Sequence, residues 1–297
     1  MSRIVLFGAG ASHGSEDVQP TPPPLGKYLF DALVAQGGQA ATLPDDLKNK
    51  FRVNFEEGMA AYHKQAKGDV MRFQRELAKF VAQFVPGPRN AYTRLFNKID
   101  PTRHLFCTLN YDMLIELSVG SLKIHTAYAT GPRDPRALRL LKLHGSCNFW
   151  PRPGLITGSC NIELMETAID GDPYIFSRKQ TLQLCETELT APAIAMYAEG
   201  KQVKVFPSFV QNQQLMYSDA VKDAMRICVV GAAINLKDEH IWNHLSSTPA
   251  SVHYFGRKTD EEPFLAWKDL CGKKNLFFIE SDFADAVDTI AACIERT

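Results

Sequence analysis

The stretch IVLFGAGASHG, Ile4 to Gly14, runs an apolar strand pattern straight into a loop where Gly8, Ala9, Gly10, Ala11 and Ser12 carry almost no side chain. A parallel sheet binds ligands beyond the carboxyl ends of its strands, and a glycine-rich turn there lets backbone N–H groups approach phosphate oxygens. Gly8 to Ser12 therefore suits a pyrophosphate cradle, and a tight strand-to-helix turn without a ligand is the alternative. The dehydrogenase fingerprint is not met. Three residues, not two, separate Gly10 from Gly14, and roughly 20 residues on, where a ribose-binding acid should end a second strand, the chain has prolines and then a helical pattern. A hydride-transfer enzyme is thus disfavoured.

Further strand patterns occur at 3–7, 104–108, 138–143, 227–230, 251–255 and 275–279, each followed by a loop and usually by helical periodicity. That alternation predicts an α/β fold, a Rossmann-like and mostly parallel sheet flanked by helices. A single domain over 1–297 is expected, with a helical insertion at about 40–100 and a second at about 151–204. Within the first, Val70, Phe73, Leu77, Phe80, Val81 and Phe84 fall at helical spacing, with Asp69 as a candidate N-cap. The prolines of QPTPPPLG read as an extended turn before a helix near Leu25.

Three other strand ends carry chemistry. HLFCTLNYDMLIE places Asn110 and Asp112 two apart, so an extended backbone points both side chains the same way. Asn110 suits a ribose hydroxyl or a water; Asp112 suits a carboxamide or a developing positive charge. The local alternative is a turn in which Asp112 caps the helix starting near Met113. LRLLKLHGSCNFW ends a strand at His144, whose imidazole can act as a general base near neutral pH; a core histidine held by a carbonyl is the alternative. In ICVVGAAINLKDEHIW, Gly231, Ala232 and Ala233 admit close approach of an adenosine or of a packed helix. Asn235, Asp238 and His240 could contact ribose or cap the next helix, and His240 receives no catalytic role because one base suffices.

Composition narrows the classes. Thirty-three basic and 33 acidic residues cancel, which disfavours direct nucleic-acid binding. The seven cysteines are scattered without a C-x-x-C pair, so neither a disulfide framework nor a cysteine zinc site is expected. No apolar run reaches the roughly 18 residues of a membrane span, and no signal-peptide pattern opens the chain; a cytoplasmic protein is expected.

Taken in order, GAGAS, TLNYD, LHGS and VVGAAIN, with PPPLG, VFPSF and FFIESDFADAVDTI, resemble the sirtuin family over most of the chain. The pattern is most similar to a bacterial branch that hydrolyses NAD in anti-phage defence. The resemblance implies that Gly8, Ala9, Gly10, Ala11 and Ser12 hold the pyrophosphate, that Asn110 and Asp112 sit at the ribose and nicotinamide, and that His144 is the base. Gly231 and Asn235 would line the adenosine side. NAD would be the substrate, with no metal. Two departures stand out: the four-cysteine zinc module of deacetylating sirtuins is absent, and the loop after GAGAS lacks their acid-and-arginine pattern. The resemblance also implies homo-oligomers and a separately encoded sensor, such as a HerA-type ATPase or a short Argonaute. A protein deacylase or ADP-ribosyltransferase, and a nucleotide sensor without turnover, are the competing readings.

Overall fold

The computed structural model of the chain describes residues 2–66, 70–128, 134–154, 169–195 and 205–295. Seven strands form its main sheet: β1 (Ser2–Phe7), β2 (Leu105–Thr108), β3 (Thr126–Ala127), β4 (Leu138–Lys142), β5 (Ala224–Val230), β6 (Ser251–Gly256) and β7 (Leu276–Glu280). Their order is β7-β6-β5-β1-β2-β4-β3, and every neighbouring pair is parallel. Six of the seven follow the sequence patterns. The two-residue edge strand β3 leaves no mark in the sequence, because so short a run has no periodicity to read.

The central strands read as largely apolar runs because both faces of the sheet are covered. Successive side chains alternate between two cores. Val5 and Phe7 join Phe106, Leu140, Cys228 and Phe255 on one face, with the helices Ala91–Lys98, Leu114–Ser121 and Phe283–Glu295. Ile4 and Leu6 join Leu105, Leu141, Ile227 and Tyr254 on the other, under Pro207–Lys222, Glu239–Ser247 and Glu261–Cys271.

Between β1 and β2 the chain makes a short helix, Ala9–His13, directly after β1, and then helices Lys27–Ala35, Gln39–Thr42, Asp45–Val53, Phe55–Gln65, Met71–Ala82 and Ala91–Lys98. This helical region begins at Lys27, earlier than the expected 40, and Phe30, Phe51 and Phe73 stack through it at centroid distances of 4.3 and 5.4 Å. The helix predicted from the Val70–Phe84 spacing is present; Val70 occupies its N-cap, and Asp69 lies outside the described residues. Of the second insertion, the described part holds the strand Tyr174–Ile175, which pairs antiparallel with Phe149–Trp150 just ahead of the insertion, and the helix Arg178–Thr187, started by a Ser177–Gln180 capping box. No helix among the described residues is long and apolar enough to cross a membrane.

The chain leaves β1 toward β2 on one side and returns through β5 on the other. The sheet's topological switch point therefore lies between β1 and β5, where open α/β sheets form ligand crevices.

Candidate functional site

Two glycine-bearing loops meet at that switch point. Gly8 N–H donates to Val230 O at 2.9 Å and Gly10 N–H to Gly231 O at 2.8 Å, zipping the strand-to-helix turn after β1, where Gly8 caps the helix Ala9–His13, to the loop after β5. The approach is close enough to require glycine: a Cβ on Gly8 would fall 2.3 Å from Ala232 Cα, and one on Gly231, whose φ is +59°, 2.3 Å from Ala11 N. Gly8, Ala9 and Gly10 line a cavity of about 630 Å³, within the range of small-molecule sites. Ala11 and Ser12 are buried behind that wall. The N–H groups of Gly8, Gly10 and Ala11 already donate to protein carbonyls, so what Gly8 and Gly10 offer the cavity is a wall free of side chains rather than free donors.

Ser12 organises the next layer. Its hydroxyl donates to Asp112 Oδ2 at 2.8 Å and accepts from Asn110 Nδ2 at 2.9 Å. Because the single hydroxyl proton goes to the carboxylate, Tyr92 must be the donor in the 3.2 Å contact between its hydroxyl and Ser12. Burial, and then the Asp112 carboxylate, push the Tyr92 phenol well above its ordinary range. Asn110 Nδ2 also donates to Gly8 O at 2.9 Å. Both amide protons are thus in use, and the group Asn110 can present to the cavity it lines is the acceptor Oδ1.

Asn110 and Asp112 do point the same way, converging on Ser12, but only Asn110 reaches the cavity wall. Asp112 is 7% exposed and sits one layer back, where its Oδ1 accepts from Leu114 N–H at 3.0 Å in the turn that leads into the helix Leu114–Ser121, whose N-cap position is Met113. Lys142, buried beneath, reaches the Asp112 carbonyl and pairs with Glu116 at 3.1 Å.

His144 follows β4 and lines the same cavity. The turn holding it is braced: Leu143 N–H donates to Thr108 O, Ser146 N–H to Ala193 O and Ala195 N–H to His144 O. Gly145 has φ +82°, and a Cβ there would strike Ala193 O at 1.9 Å, so this Gly fixes the way the strand end exits. His144 Nε2 lies 3.1 Å from Nε2 of His240, a residue to which the sequence pattern assigns no catalytic role.

Elsewhere on the wall, Asn235 Nδ2 donates to Glu56 Oε2 at 3.3 Å, and Asn235 Oδ1 accepts from Lys237 N–H. Asn235, Gly231 and Glu56 all line the cavity. Glu56 stands in the first turn of Phe55–Gln65, whose Asn54 cap accepts from Glu56 N–H and Glu57 N–H. Tyr111 also lines the cavity and donates to Ala195 O at 2.8 Å; burial, then the Glu56 and Asp238 carboxylates, raise its phenol. Sequence reasoning misses both Glu56 and Tyr111. The only sign of the former is the capping pattern Asn54-Phe-Glu-Glu, which marks a helix start and says nothing of what that start faces.

Among the described residues no three His, Cys, Asp or Glu side chains are grouped to hold a metal ion. No family model matches the chain, and no curated protein matches it in sequence. Solved structures do. One, a Sir2 homologue carrying a histidine-to-asparagine substitution and in complex with ADP ribose, aligns with a TM-score of 0.50 at 13% identity, covering 99% of this chain and 91% of that one. A second, a Sir2 homologue carrying a serine-to-alanine substitution, again in complex with ADP ribose, aligns with the same TM-score and coverage at 14% identity. At that identity the likeness concerns architecture, and the chain adopts the sirtuin-like, Rossmann-type fold.

Proposed function

We propose that this chain is an NAD glycohydrolase that cleaves the nicotinamide–ribose bond to give nicotinamide and ADP-ribose. The observation that carries the reading is that Asn110, His144, Gly8 and Gly231, from four different strand ends, share the wall of one cavity at the switch point. The similar solved structures are, by their descriptions, ADP-ribose complexes, which supports a dinucleotide in this crevice.

The chemistry follows from the groups on the wall. Breaking the glycosidic bond places positive charge on the ribose, and groups that favour that charge more than the neutral sugar accelerate the step. The Asn110 amide, held by Gly8 O and Ser12, would accept from a ribose hydroxyl through Oδ1. Asp112 acts through Ser12 to hold that amide rather than by touching substrate. Of the several carboxylates on the wall, Glu56, which accepts from Asn235, is the one we assign to face the developing charge. His144 takes the proton from a ribose hydroxyl or the attacking water, a contribution worth typically about 10²- to 10⁴-fold. Nicotinamide leaves as a neutral base, so none of these steps calls for a metal.

A free NAD hydrolase would deplete its own cell, so the activity is gated, by self-association or by a separately encoded sensor such as a HerA-type ATPase or a short Argonaute. This gating, and the role in bacterial anti-phage defence, rest on the motif resemblance. The test is nicotinamide release from NAD, measured with and without such partners. Unchanged release in both Asn110→Ala and His144→Ala would overturn the site.

A further inference from the structure

His144 and His240 approach from separate elements, the end of β4 and the first turn of the helix Glu239–Ser247. Their Nε2 atoms are 3.1 Å apart, with ring centroids 5.2 Å apart and planes tilted by 56°. Two lone pairs would repel at that distance, so one ring donates N–H and the other accepts. Uptake of one proton converts this bridge into an imidazolium–imidazole contact, a charge-assisted hydrogen bond roughly twice as strong as the neutral one. Uptake of two would set two cations against each other. The pair is therefore built to accept a single proton. His144 lies in the cavity wall at 4% exposure, whereas His240 is half-buried outside it, which gives the proton a route to water.

We propose that His240 is a positioning residue for His144, setting which nitrogen of His144 carries the proton at rest and sharing the charge the pair gains during turnover. The inference rests on the glycohydrolase reading. As water oxygen bonds to the ribose C1′, the C1′–N bond breaks with its electron pair going to nicotinamide. The proton lost by the water passes to the His144–His240 bridge, and later to solvent. Charged groups nearby are Asp238, Lys237 and Glu56 on the cavity wall, Glu239 beside His240, and His244 one turn along the same helix.

The test uses the full chain labelled with ¹⁵N-histidine, and the ring nitrogens of His144 are identified by their loss in His144→Gln. In His240→Ala, the His144 nitrogen shifts should move, and nicotinamide release should fall about tenfold in kcat while KM stays within about twofold. His240→Gln, whose amide can donate or accept, should restore the shifts and most of the rate. His144 signals unmoved in His240→Ala, or Gln and Ala variants equally slow, would overturn the proposal. Absence of nicotinamide release from the unaltered chain under every condition would instead defeat the glycohydrolase reading, and the ring-nitrogen shifts would still decide the bridge.

Discussion

The Ser12 hydroxyl donates to Asp112 Oδ2 at 2.8 Å, across 100 residues of sequence, and this bond locks the short helix Ala9–His13 after β1 to the loop after β2. Asp112 also accepts from Leu114 N–H in the turn before the helix Leu114–Ser121, so its removal acts twice. Asp112→Ala should lower stability by about 2 kcal/mol, from a lost hydrogen bond to the helix start and a buried Ser12 hydroxyl left without its acceptor. Turnover should fall further than stability explains, because the Asn110 amide loses its fixed partner. Thermal melts paired with kcat measured well below the melting temperature separate the two effects. A variant with a lowered melt and unchanged kcat would show Asp112 to be structural only.

Asn110 is expected to be the least replaceable residue of the wall. In Asn110→Asp the two N–H donors to Gly8 O and Ser12 Oγ are lost, and a carboxylate oxygen faces the Gly8 carbonyl. Nicotinamide release should drop by about 10²-fold or more, the range seen when a single group aimed at transition-state charge is removed. Chromatographic quantification of nicotinamide decides it; retention of even half the rate would exclude Asn110 from the reaction.

The strands were legible because a sheet covered on both faces writes itself as short apolar runs, and six of seven were readable on that ground. The strand-end motifs were legible for a related reason: glycine, or a polar residue directly after an apolar run, is locally unusual at Gly8, Asn110, His144 and Gly231. What could not be read is which of these residues faces the crevice. Asn110 and Asp112 share a side, yet one is wall and the other support, a distinction set by where Ser12 falls. Glu56 and His240 come from helices whose own periodicity carries no information about the strand ends opposite. Their roles depend on packing between elements far apart in sequence, 179 residues for Glu56 with Asn235 and 96 for His240 with His144.

Glu56→Gln tests the electrostatic part of the reading. Glutamine keeps an oxygen for the Asn235 amide and removes only the charge. The melting temperature should hardly move, since Glu56 is half-buried, while kcat should fall about tenfold if the carboxylate stabilises cationic ribose. An unchanged kcat would remove Glu56 from the mechanism and leave its bond to Asn235 as a link between the helical insertion and the sheet.

Gly231→Ala tests the loop–loop contact. The new Cβ would sit 2.3 Å from Ala11 N and 2.5 Å from Gly10 C, both backbone atoms with no room to yield, and φ +59° strains any side chain. About 3 kcal/mol of stability should be lost. Nucleotide affinity should fall with it, because separating the loops displaces Gly8 and Gly10 from the cavity wall. Gly26→Ala offers a control, since its φ of +50° is also positive but a Cβ there meets nothing within 4 Å. Equal stability of the two variants would mean that the close approach is not what requires Gly231.

A pH effect should arise far from the cavity, where buried His104 Nε2 contacts Glu295 Oε1 at 2.9 Å and ties β2 to the C-terminal helix. The hydrogen bond from His104 holds the Glu295 carboxyl below the ordinary glutamate value of 4.5. A carboxyl depressed by folding stabilises the native state above its unfolded pKa, and that increment is lost as pH falls through the folded value. Glu295 is a third exposed, so the contribution is small, about 1 kcal/mol or less. Glu295→Gln should accordingly unfold at lower urea concentration than the unaltered chain near pH 6, and the gap should narrow as pH drops below 4.5. Urea titrations at several pH values measure it directly. A gap that stays constant down to about pH 3 would mean that the pair contributes through shape and not through charge.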